Sequence, residues 1–100
     1  MEYINIKNNI NQTTNIHKNV FLDIVNLISS KILDVKVAGE PEIVIVRKGK
    51  NVKISFDFTL SKSSDLFATV NLVKKYVNET IVGLFDIKPY NILMNYQGRH

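Results

Sequence analysis

The sequence contains no cysteine and no tryptophan, and only two prolines, two histidines and four glycines in 100 residues. Without cysteine there is no disulfide, no thiolate metal ligand and no cysteine nucleophile. Gly39, Gly49, Gly83 and Gly98 stand alone, so no glycine-rich loop exists to cradle a phosphate. No apolar run approaches the ~20 residues of a membrane span. Met1-Glu2-Tyr3-Ile4 has neither the basic start nor the apolar middle of a signal peptide. The expected address is therefore the cytoplasm. The histidines are His17, read in the first turn of a surface helix, and His100, the last residue; both read as solvated groups rather than general bases. The nine carboxylates are spread singly, and Glu40 and Glu42 around Pro41 read as solubilising charges on a strand edge. Catalysis is not expected, nor is a cofactor, a metal or a small-molecule substrate.

What is present is a globular composition, 45% hydrophobic and 22% charged, of a size suited to one domain spanning residues 1–100. Its centre is residues 52–60. Val52, Ile54, Phe56, Phe58 and Leu60 alternate with Lys53, Ser55, Asp57 and Thr59, the period of a strand with one buried and one wet face. Before it, Ile43-Val44-Ile45-Val46 is β-branched throughout, and residues 47–51 supply a turn in which Gly49 takes positive φ. These two segments predict an antiparallel hairpin, with Val35 and Val37 extending its first strand.

Two helices follow from spacings of three and four. The first runs over 16–33, through Ile16, Val20, Phe21, Ile24, Val25, Leu27, Ile28, Ile32 and Leu33, with Thr14 or Asn15 as its cap. The second carries Leu66, Val70, Val73, Val77 and Ile81, is capped by Ser63 or Ser64, and stops before Gly83. A short strand at 3–7 opens the chain, and the polar run 8–15 reads as a loop. A last strand over 85–96, kinked near Pro89, places Tyr90, Ile92, Met94 and Tyr96 on one face, and 97–100 reads as a frayed end. The fold class is α+β: a two-layer β-α-β-β-α-β arrangement, with two helices packed on one face of a mostly antiparallel sheet.

One basic cluster stands out, Arg47, Lys48, Lys50 and Lys53 on the hairpin tip, in a chain of net charge +4. As a site it would contact anions or nucleic acid; as ordinary surface it keeps a sheet edge soluble. Phe56 and Phe58 share the parity of the core, so they are not read as a base-stacking platform.

From the hairpin onward the chain resembles the alkaline shock protein family, the envelope stress response proteins of low-GC Gram-positive bacteria. The resemblance lies in the alternating strand 52–58, the helix around Val70-Asn71-Leu72-Val73-Lys74-Lys75-Tyr76-Val77, Gly83-Leu84, and the closing Ile87-Lys88-Pro89-Tyr90-Asn91-Ile92-Leu93-Met94. The chain departs from that pattern at Ser61-Lys62, where the family has Tyr-Gly, and in lacking the Ile-Pro that opens the family's second helix. The resemblance implies a non-enzymatic protein acting through protein partners or self-association in envelope or lipid homeostasis, reaching a membrane only through a partner. The alternative is a small RNA-binding module that uses the basic tip.

Overall fold

The computed structural model describes residues 2–9 and 12–100. Its elements are β1 (Tyr3–Asn9), β2 (Gln12–His17), α1 (Lys18–Lys31), β3 (Val35–Val46), a one-turn 3₁₀ segment (Arg47–Gly49), β4 (Asn51–Leu60), α2 (Leu66–Phe85) and β5 (Asn91–Arg99). The class is α+β, with the predicted order of helices and strands and one strand more. β1 and β2 form an antiparallel ribbon, and the main sheet has the order β3-β4-β5.

β4 is the middle strand because it alone offers five apolar side chains to one side. Val52, Ile54, Phe56, Phe58 and Leu60 are all buried, as the alternation predicts. The two helices cover them through Phe21, Ile24, Val25 and Ile28 of α1 and Val73, Val77 and Ile81 of α2. The far ends of the helices meet through Phe21 and Phe85, whose ring centroids lie 5.6 Å apart. β3 pairs antiparallel with β4 from Val46↔Asn51 to Val35↔Leu60, with an irregularity between Ala38 and Glu42 where Gly39 takes φ 78°.

The differences from the predicted elements each have a local cause. Of the run 8–15 expected as a loop, residues 8 and 9 belong to β1 and residues 12–15 to β2; residues 10 and 11 lie outside the described residues. β2 is exposed over most of its length and is anchored at Ile16, opposite Ile4 of β1, so it carries no apolar period to read. Helix α1 starts two residues late, at Lys18. His17 replaces Thr14 or Asn15 as the cap, its Nδ1 accepting from Asn19 N–H at 3.0 Å. At α2 the cap is Asp65, one residue beyond the expected serines, with Oδ1 accepting from Ala68 N–H at 2.8 Å. Ser64 instead donates to the Ser61 carbonyl.

Gly83 does not stop α2. The helix continues to Phe85, whose ring reaches Phe21, and stops at Asp86, which takes the left-handed conformation (φ 56°) that a short polar side chain tolerates. The last strand begins at Asn91, after a connection in which Pro89 is buried. It runs parallel to β4, because α2 carries the chain back to the end at which β4 began. The C-terminus is tied down rather than frayed. His100 N–H donates to the Leu60 carbonyl, and Arg99 Nη1 donates to the carbonyls of Ser61 and Ser64 at 2.7 and 2.9 Å.

Candidate functional site

The basic turn follows the tight reversal between β3 and β4. Arg47, Lys48 and Gly49 are successive residues with positive φ, 56°, 55° and 86°. For the two non-glycine residues this conformation costs on the order of 1–2 kcal/mol each. Five contacts hold it. The Arg47 guanidinium lies 4.9 Å from the centroid of the Tyr90 ring, and Lys50 N–H donates to the Arg47 carbonyl at 3.2 Å. Asn51 then ties the turn to the entrance of β5: its Oδ1 accepts from Val52 N–H and Tyr90 N–H, and its Nδ2 donates to the Lys88 carbonyl. Tyr90 therefore leaves the face it was expected to share with Ile92 and Met94.

Of the four predicted contact residues, Arg47, Lys48 and Lys50 sit together on this turn. Lys53 lies on β4, in register between Val44 and Asn91 on the sheet face away from the helices. Two cations that the linear sequence did not associate with the cluster come close. Lys7 shares with Lys50 a cleft of about 600 Å³ that also exposes Asp86, and Lys88 is held by Asn51. Lys7 and Lys50 there face the carboxyl end of α2 and the Asp86 carboxylate, which attract cations in any case. The turn can attract an anion through Lys48, Lys50 and Lys88, while Arg47 is already engaged with Tyr90.

Several other titratable groups have structural partners. His17 Nε2 lies 3.3 Å from Glu2, and Nδ1 of His100 is 2.8 Å from the Thr59 hydroxyl. Asp57 accepts from Asn95, and Asp34 accepts from Ser61. Among the described residues no cluster of three or more His, Asp or Glu is placed to hold a metal ion, and no helix is long and apolar enough to cross a membrane.

An apolar groove of about 400 Å³ lies between the helices, lined by Ile24, Leu27, Ile28, Ile32 and Tyr76 with Lys31 and Thr80 at its rim. Leu27, which shares the apolar stripe of α1 in sequence, is more than half exposed there.

The two outer strands of the main sheet differ sharply. β3 carries Lys36, Glu40, Pro41 and Glu42 and is broken by the irregularity at 38–42, the devices that keep an edge from pairing. β5 reads Asn-Ile-Leu-Met-Asn-Tyr-Gln-Gly-Arg, with no proline and no charge before Arg99. The direction of its main-chain groups follows from its neighbours. Ser61 N–H donates to the Asp34 carbonyl, so odd-numbered residues of β4 turn toward β3. The carbonyls of Val52 and Leu60 accept from Tyr90 and His100, so even-numbered residues turn toward β5. With Ile54 level with Ile92, a parallel ladder links Ile54 to Asn91 and Leu93. Asn91, Leu93 and Asn95 therefore bond inward, and the N–H and C=O groups of Ile92, Met94 and Tyr96 point away from the sheet. Sequence reasoning gave this strand one apolar face and no place in the sheet order; its lack of charge was the one signal that could have marked it as an open edge.

The chain matches no protein-family model, no curated protein and no solved structure.

Proposed function

We propose that this is a non-catalytic protein that works through protein–protein contacts, with the outer edge of β5 as its docking surface. The observation that carries the reading is the contrast between a guarded β3 and an unguarded β5. A strand with free main-chain donors and acceptors and no gatekeeping charge is a template for another strand. Envelope or lipid homeostasis, as in the alkaline shock proteins, is the process that the sequence resemblance suggests. The test is in-cell photo-cross-linking from position 94 on β5 and from position 42 on β3. Discrete protein adducts are expected from 94 and not from 42. No adduct from 94, or equal yields from the two edges, would overturn the reading.

The strained, cation-bearing turn favours a second reading, an RNA-binding module. In that case retention on single-stranded RNA at ~50 mM salt is expected, with log affinity falling by about 0.7 per tenfold rise in salt for each phosphate contact. The double variant K48E/K50E should flatten that slope by roughly two contacts. Absence of retention at low salt disposes of this reading.

A further inference from the structure

We infer that the occupant of the β5 edge is a second copy of this chain, paired antiparallel about a two-fold axis midway between the two Met94 residues; the inference rests on the reading of β5 as a docking edge. The outward-facing residues Ile92, Met94 and Tyr96 are spaced symmetrically about Met94. Turning the strand end for end about that point sets Met94 against Met94 of the second copy. Ile92 then meets Tyr96 of the second copy, and Tyr96 meets Ile92. All three outward residues of each strand find hydrogen-bonding partners, about six main-chain bonds in all.

The same register sets a β-branched side chain opposite an aromatic one on the helix-covered face, a favourable cross-strand pair. On the other face Asn91, Leu93, Asn95 and Gln97 meet with no like charges opposed. A shift of two residues toward the start of the strand would need Tyr90, whose N–H is already given to Val52 and Asn51. The equivalent self-pairing at β3 would have to accommodate Glu40, Glu42 and the missing N–H of Pro41. The product is a continuous six-stranded sheet, β3-β4-β5-β5-β4-β3, with all four helices on one face. An edge of this length lies at the small end of specific interfaces, below ~1,200 Å², so the dimer is reversible rather than obligate.

The absence of cysteine makes the register testable, since a single introduced thiol can form a disulfide only between copies. In the proposed register residue 94 lies about 5.5 Å from its mate, Cα to Cα, within disulfide range. Residue 93 lies diagonally across, beyond the ~7 Å limit. Sedimentation equilibrium of the full chain up to ~1 mM should show a species of twice 11.4 kDa. Under mild oxidation M94C should cross-link at least about ten times faster than L93C or E42C. M94P, which removes an outward-facing N–H together with the packing of Met94 on the core, should shift the mass to that of a monomer while the far-ultraviolet circular dichroism stays that of the wild type. A wild-type chain that stays monomeric throughout, or equal cross-linking at 93, 94 and 42, would overturn the inference. Photo-adducts from position 94 to a different protein, with a monomeric chain, would sink self-pairing and leave the docking edge standing. A dimer that cross-links at 42 and not at 94 would sink both.

Discussion

Replacing Phe58 with alanine is expected to lower the unfolding midpoint by roughly 12–40 °C, the equivalent of about 3–5 kcal/mol in a domain of this size. Phe58 is 1% exposed on the central strand. Its truncation opens a cavity that two helices and a sheet cannot all close at once, because each is held by its own hydrogen bonds. It also removes the ring that Tyr96 leans on, with centroids 5.7 Å apart, and so loosens β5 from β4. A domain of 100 residues has roughly 5–15 kcal/mol of stability in total, so the variant sits close to unfolding at 37 °C. Calorimetry or thermal circular dichroism reads the shift. A midpoint within ~5 °C of wild type would mean that the ring is not in the core.

The second large effect is expected from Val25→Asp, which should abolish cooperative unfolding at 25 °C. Val25 is fully buried in α1, within a core cluster that is hydrophobic throughout among the described residues. The variant must bury an unpaired acid, losing both the transfer energy of the valine and the solvation of the new group, a cost of several kcal/mol. Leu27→Asp, two residues along the same helix, is the control, since Leu27 is 56% exposed on the rim of the interhelical groove. Its change should stay within about 1 kcal/mol, mostly helix propensity. Ile24→Asp and Ile28→Asp fall between, because both residues line the groove and a carboxylate there reaches water more easily. The ranking Val25, then Ile24 and Ile28, then Leu27, read from denaturant midpoints, checks how α1 is seated. Val25 and Leu27 behaving alike would contradict it.

That ranking shows where sequence reading stops. The apolar positions of α1 were plain from their spacing, and the inward face of β4 was plain from strict alternation, because both periods are set by backbone geometry within one element. Which members of the α1 stripe are covered depends on where α2 lies across it, and no period encodes that. The ends of the helices were misplaced for the same reason. Phe85 extends α2 past Gly83 because its ring finds Phe21, some sixty residues earlier. That gain outweighs the ordinary preference of a helix to stop at glycine. β2 escaped notice because only Ile16 of its residues is buried, which leaves no apolar alternation to read, and its strand character comes from pairing with β1.

The candidate sites divide likewise. Arg47, Lys48 and Lys50 are neighbours in the chain and had to fall on one turn. Lys7 and Lys88 join that end of the molecule only because β1 and the entrance to β5 are brought there, and Arg47 is drawn onto Tyr90, a residue on the far side of α2. Taken alone, the amino-acid order settled the α+β class, the hairpin, the inward phenylalanines and the absence of cysteine chemistry, since each depends on local geometry or on composition. Tertiary structure alone decided that β5 runs parallel to β4, that no strand among the described residues pairs with its outer edge, and which of its main-chain groups face outward. Strand pairing is a contest between distant segments for the same hydrogen bonds, and its outcome is fixed only when the helices have taken their places over the sheet.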